Sequence, residues 1–220
     1  MEVMGLLCGS RIKIVLQFLL LLIAVKLLCL GVLFFVVDQH GMELPVHRAR
    51  MELKQGNVWY MFVLIAFVGP LLEEGMFRLP LVFSPFKWSV SCAIVTLYLY
   101  SFFSGTRLDS FDFWSARLLL ASTAGLCSFG LCYWGKSFLH RYWLRRRNSM
   151  VFVLSFLFGL SHLMNYDRLS LTLLSSVVLV FPYFISGLIY SYVRLNHSFY
   201  IAVLLHILFN SIGFSLTHLL

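Results

Sequence analysis

Residues 69–83 read GPLLEEGMFRLPLVF, an apolar run interrupted by Glu73, Glu74 and Arg78. A charge placed at membrane depth costs roughly 2.5 to 3.5 kcal/mol on insertion scales, so an ionisable cluster there marks a functional site by default. Two later apolar stretches carry polar pairs at one-turn spacing. They are Phe158 with His162 in FGLSH, and His206 with Asn210 in HILFN.

The surrounding composition gives that run its meaning. The chain has 220 residues, 60% hydrophobic and 12% charged, with 22 Phe. A soluble domain of this length does not require so much apolar surface, and long runs of such residues are membrane helices. The net charge of +8 would suggest nucleic acid in a soluble protein. Here the basic residues collect at segment ends, where they set orientation and meet anionic headgroups, so no nucleic-acid partner is assigned. Cys8, Cys29, Cys92, Cys127 and Cys132 are odd in number and lack C-x-x-C spacing. Neither a disulfide framework nor a thiolate metal site follows. Arg11 and Lys13 precede an apolar run, Ile14 to Val37, that is too long for a signal-peptide core and reads as an uncleaved anchor.

Apolar runs near residues 12–37, 57–83, 88–105, 115–135, 150–166, 169–192 and 198–218 predict an all-α polytopic membrane protein of about seven spans. Residues 1–56 read as an anchor helix and loop, and 57–220 as the core. The longest polar connections are Asp38 to Gly56 and Lys136 to Ser149. With a cytoplasmic N-terminus, that side receives Arg11, Lys13, Lys87, Lys136, Arg141, Arg145, Arg146, Arg147 and Arg194, against Arg48, Arg50, Lys54, Arg107 and Arg168 outside. At about 1.5 Å of rise per residue, Glu73 lies about 15 Å from the cytoplasmic end of its span, His162 about 18 Å into its span and His206 about 12 Å into its own. The three clusters are therefore expected in one layer, around one cavity open to the cytoplasmic half.

Each cluster also has a plain structural reading. Glu74 and Arg78, four apart with the carboxylate first, make a favourable helical pair that needs no chemistry. Glu73 points about 100° away from Glu74, so Arg78 cannot neutralise both well and one carboxylate is left for base duty. Pro70 and Pro80 flank the cluster and free backbone carbonyls, which a membrane tolerates only where protein or water answers them. Ser155, Gly159 and His162 share one face, and Ala202, His206, Asn210, Gly213 and Thr217 another; each alone is helix-packing surface. His40, His47, His140, His197, His218, Asp109, Asp112 and Asp167 read as loop or helix-end residues. Trp59, Trp88, Trp114, Trp134 and Trp143 read as an interfacial belt.

E-E-x-x-x-R, F-x-x-x-H and H-x-x-x-N, in this order on three membrane helices, resemble the CAAX protease and bacteriocin-processing family, also called Abi, of intramembrane proteases. The resemblance covers about residues 57–215, including the approach GLIYSYVR from Gly187 to Arg194. It implies a conical intramembrane active-site cavity and carries roles over residue by residue. Glu73 and His162 would activate a water for attack on a peptide carbonyl. His206 and Asn210 would hold the developing oxyanion. Glu74, Arg78 and Phe158 would support the site.

The same residue types also suit zinc, with Glu73, His162 and His206 as ligands, although no H-E-x-x-H is present. Asn is an uncommon zinc ligand, and the reading that needs no metal cofactor is favoured. The implied partners are membrane lipids and a peptide or protein substrate, of the CAAX type or of the leader or bacteriocin type, prenylated or membrane-anchored, and the implied location is a bacterial cytoplasmic membrane. Two other function classes fit the composition: a noncatalytic immunity or scaffold protein, and a proton-coupled transporter that uses the carboxylates and histidines as a relay.

Overall fold

The computed structural model describes the backbone of residues 2–40, 57–105, 113–166 and 172–219, and the side chains of all of these but 2–10, 40, 218 and 219. Every long element among them is helical. α1 spans Glu2–His40. α2 (Val58–Val63), a π-helical turn (Leu64–Val68), α3 (Gly69–Phe77) and a 3-10 turn (Leu79–Leu81) follow as one interrupted run. α4 is Pro85–Ser104 and α5 is Trp114–Trp134. α6, Lys136–Ser161, ends in a 3-10 turn at His162–Asn165. α7 is Leu173–Asn196 and α8 is Phe199–Leu219.

Local chemistry explains several of the boundaries. The Asn57 side chain accepts from the backbone N–H groups of Trp59 and Tyr60, answering orphan donors at the start of α2. Thr172 and Ser175 form a reciprocal capping box that opens α7. α4 begins on Pro85, where the missing N–H costs nothing.

Among the described residues, seven helical runs are long and apolar enough to cross a membrane: Arg11–Gln39, Val58–Leu81, Pro85–Ser104, Trp114–Trp134, Lys136–Asn165, Leu173–Asn196 and Phe199–Thr217. The expected all-α polytopic architecture is the observed one. Leu20, Leu27, Leu28, Phe34 and Phe35 of α1 are all exposed, which suits a helix whose solvent on that side is hydrocarbon.

The chain forms two compact units. One comprises residues 1–70 and 152–220, the other Leu71–Val151. In the first, α1 packs along α7 and α8, and α7 along α8. The C-terminal part of α6 meets α7 through small residues. A Cβ on Gly159 would come within 3.0 Å of the Val180 carbonyl oxygen and 3.2 Å of the Phe184 nitrogen, and one on Gly187 within 3.1 Å of the Ser155 Cα. Backbones that close admit no side chain between them, and the Ser155 and Ser191 hydroxyls bond across the seam at 3.3 Å. The small-residue stripe on α6 is therefore a packing face, as its spacing suggested.

In the second unit α4 and α5 run along each other, with the Ser89 hydroxyl donating to the Gly125 carbonyl at 2.7 Å. The Ser91 hydroxyl donates to the Met76 carbonyl at 2.7 Å, tying α4 to α3. Trp143 is buried and meets Trp88 edge to face at 5.0 Å and Phe83 at 5.9 Å.

Three expectations need correction. Lys136 to Ser149 is helix rather than a loop, so Arg145, Arg146 and Arg147 are exposed side chains along α6. Polar residues read as a connection because hydropathy ignores helix propensity, and Lys, Arg and Leu are good helix formers wherever water can solvate the charges. Trp143 is a core residue and no part of a belt, whereas Trp59 and Trp134 are exposed at helix ends. On α8 the packed stripe stops short: Ala202 and His206 are buried, but Gly213 and Thr217 are exposed. Arg48, Arg50, Lys54, Arg107, Arg168, His47, Asp109, Asp112 and Asp167 lie outside the described residues, as do the side chains of Cys8, His40 and His218.

Candidate active site

The first unit holds four of the sequence-predicted site residues. His162 stands at the start of the 3-10 turn that finishes α6, one turn beyond Phe158. Its Nδ1 lies 2.8 Å from the Phe158 carbonyl oxygen. A carbonyl only accepts, so Nδ1 carries the proton, and in the neutral ring Nε2 is the basic nitrogen. The bond thus selects the tautomer and fixes the ring's direction in one contact.

Phe158 is itself buried and links the two histidines. Its ring meets His162 edge-on at 4.7 Å and His206 edge-on at 5.8 Å. Each imidazole also lies flat on a tyrosine of α7: His162 on Tyr183 at 3.8 Å between centroids, His206 on Tyr190 at 4.5 Å. Tyr183 and Tyr190 are seven apart, two helical turns, and so fall on one face. Stacked aromatic pairs contribute about 0.5 to 1.5 kcal/mol beyond area burial and restrict ring rotation. Sequence reasoning named Phe158 but assigned no role to either tyrosine. The i, i+7 spacing was the available signal.

Asn210 lies one turn beyond His206 on α8, and its amide Nδ2 donates to the carbonyl of Ile65 at 3.1 Å. That acceptor exists for a covalent reason. In the π register of Leu64–Val68 the carbonyl of residue 65 looks to the N–H of residue 70, and residue 70 is proline. The α-helical alternative, the N–H of Gly69, is committed to the Leu64 carbonyl. The freed carbonyl expected from Pro70 is thus answered by a side chain, as irregular backbone at membrane depth requires. The donor also settles which end of the amide faces Ile65, and it leaves the second Nδ2 hydrogen for another acceptor.

Glu73, Glu74 and Arg78 belong to the second unit. Glu74 and Arg78 are fully buried, with Arg78 Nε 3.6 Å from Glu74 Oε2. The expected i, i+4 ion pair is present. Glu73 is half-buried on the neighbouring face of α3, and Tyr98 of α4 lies within its electrostatic reach. Among the described residues, no three His, Cys, Asp or Glu side chains are grouped as ligands for a metal ion.

The first unit thus brings together a tautomer-fixed imidazole, a second imidazole and an anchored amide, and the second unit carries, by itself, a half-buried carboxylate beside a buried ion pair. The family described as Type II CAAX prenyl endopeptidase Rce1-like matches residues 55–212, a stretch that contains all of these groups. The chain belongs to this family. It is accordingly an integral multi-pass membrane protein of an intramembrane CAAX-type endopeptidase family, whose surroundings are lipid and whose substrate is a peptide. No curated protein matches the chain, and no solved structure does. α1 precedes the matched region, yet it packs on α7, the helix that carries Tyr183 and Tyr190.

Proposed function

We propose that this chain hydrolyses a peptide bond within the membrane by a glutamate-type mechanism, on a substrate whose C-terminal C-a-a-X sequence carries a prenyl group on its cysteine. Glu73, assisted by His162 Nε2, takes a proton from water as the water oxygen bonds to the scissile carbonyl carbon. The oxygen of the tetrahedral intermediate then carries the negative charge. His206 and the second Nδ2 hydrogen of Asn210 donate to it, in positions fixed before the reaction begins. As the C–N bond breaks, the proton held by Glu73 passes to the departing nitrogen, and carboxylate and amine products result. Glu74 and Arg78 neutralise one another and keep a second carboxylate out of the proton traffic.

The observation that carries this reading is the 2.8 Å contact from His162 Nδ1 to the Phe158 carbonyl. It supports a basic Nε2 in the resting protein, which a packing histidine does not need. His162 and His206 could each also offer a nitrogen to zinc, which would supply a more acidic bound water. Chelation distinguishes that version from the metal-free one.

The test is cleavage. Purified full-length protein in lipid nanodiscs should convert a prenylated C-a-a-X peptide to the product cut after the cysteine, read by mass, and Glu73→Gln should not. Intact peptide with the wild-type chain, together with proton-coupled flux in liposomes, would replace this reading with the transporter.

A further inference from the structure

Lys26 sits in the Arg11–Gln39 span, fifteen residues from one end and thirteen from the other. At about 1.5 Å per residue it is some 20 Å of helix from either end. A lysine that far from the interface is expensive, and such residues face protein and mark a pathway or ligand. Lys26 does face protein. Its Nζ lies 4.3 Å from the centroid of the Tyr183 ring.

Around it is a cleft of about 60 Å³ between α1 and α7, lined by Lys26, Cys29, Tyr166, Val178, Pro182 and Tyr183 with leucines of both helices. Pro182 interrupts the ladder of α7 and deprives the carbonyl of Val178, itself a lining residue, of its helical donor. Among the described residues no carboxylate lines the cleft. Its one charged group is a cation.

Tyr183 is also the ring on which His162 stacks at 3.8 Å. The two centroid distances laid end to end place Lys26 Nζ at most about 8 Å from the His162 ring centre. A C-a-a-X substrate ends three residues after its cysteine, and three extended residues reach about 10 Å at full stretch. A peptide held for attack beside His162 therefore has Lys26 within reach of its terminal carboxylate.

We infer that Lys26 and the cleft beneath it bind the C-terminal carboxylate of the substrate, so that α1, outside the family match, supplies the specificity for a free chain end. This rests on the endopeptidase reading above for the direction in which the peptide lies. An anionic lipid headgroup has the same charge but would have to descend to mid-span to reach the ammonium. The site is accordingly assigned to the peptide.

The experiment compares a prenylated C-a-a-X peptide bearing a free C-terminal carboxylate with its C-terminal amide, in nanodiscs of zwitterionic lipid. Cleavage is measured on the wild type, Lys26→Met and Lys26→Arg, and binding on Glu73→Gln with and without Lys26→Met. The wild type should favour the acid in kcat/KM by about tenfold to a hundredfold, the range for one charge-assisted contact. Lys26→Met should lower the acid to the level of the amide and leave the amide unchanged, and Lys26→Arg should restore much of the preference. On Glu73→Gln the acid should bind at least about tenfold more tightly than the amide, and Lys26→Met should remove the difference.

Equal binding of acid and amide, or binding of neither, overturns the subsite whatever the cleavage result. So does a parallel fall of both substrates in Lys26→Met, which marks a packing residue. Inhibition of the wild type, but not of Lys26→Met, by added phosphatidylserine with no acid preference would overturn it in favour of a headgroup site. Lys26-dependent preference for the acid in binding, with no cleavage by the wild type, upholds the subsite and removes the endopeptidase reading alone.

Discussion

The side-chain amide of Asn210 donates to the backbone carbonyl of Ile65 across 145 positions of sequence. The bond joins α8 to the π-helical turn whose own hydrogen bonding Pro70 has cut short. A proline in one span thus creates the acceptor that orients a candidate oxyanion donor in another. Asn210→Ala removes both the anchor and the donor. The expected cost is about 2.7 to 4 kcal/mol in the barrier, read as a fall in kcat of a hundredfold or more. Asn210→Leu, which cannot donate to Ile65, should lose as much activity and also lower the melting temperature in detergent. Asn210→Ala with wild-type kcat would remove Asn210 from the mechanism.

Glu73→Gln keeps the shape of the side chain but removes the base. Activity should drop by at least about a hundredfold, as expected for a general base, while thermal stability stays near wild type. The wild type should retain activity after exhaustive chelation, with no stoichiometric metal in the purified protein. Zinc that leaves together with activity, and restores it on return, would establish the metalloprotease instead.

Glu74 and Arg78 make a different prediction because both are fully buried and face each other. Removing one partner strands the other charge, so Glu74→Gln or Arg78→Met alone should destabilise by about 3 to 5 kcal/mol. The double variant Glu74→Gln/Arg78→Met should be less damaged than the sum of the two. Thermal unfolding of the four proteins measures the coupling. Additive losses would mean that the pair does not act as a unit.

Gly159 and Gly213 provide a paired test of helix approach. A Cβ at Gly159 meets the backbone of α7 at 3.0 and 3.2 Å, and backbone cannot step aside as a side chain can. Gly159→Ala should force α6 and α7 apart at a cost of about 1 to 3 kcal/mol. Gly213 has nothing within 4 Å of its added Cβ. Gly213→Ala should be neutral or slightly stabilising, since alanine favours helix by up to about 1 kcal/mol. A melting temperature unchanged in Gly159→Ala would contradict the close seam.

Topology is testable by labelling. Asn148 is exposed on α6, beside the Arg145 to Arg147 cluster, and the bias of Lys and Arg toward the cytoplasmic side predicts that it lies there. Asn148→Cys, in a background without other cysteines, should react with an impermeant thiol reagent only after the membrane is opened. Gly41→Cys should react from outside. External reactivity at Asn148 would invert the orientation.

What the sequence determined by itself is what local spacing and hydropathy can carry. Seven apolar runs specify seven spans, because a membrane leaves the backbone few alternatives to helix. The pairing of Glu74 with Arg78 and the proximity of Phe158 to His162 follow from four-residue spacing on a helix, which brings such side chains onto one face. The tertiary structure decided the rest. That Asn210 answers Ile65, that His162 lies on Tyr183 and His206 on Tyr190, and that Lys26 lies over the same Tyr183 ring all depend on which helices pack and at what height. Nor was the helicity of Lys136 to Ser149 legible from polarity, since a helix continues past the hydrocarbon wherever its side chains are solvated. Hydropathy marks the side chains that avoid water; close approach of backbones at Gly159 and Gly187 selects which of them meet.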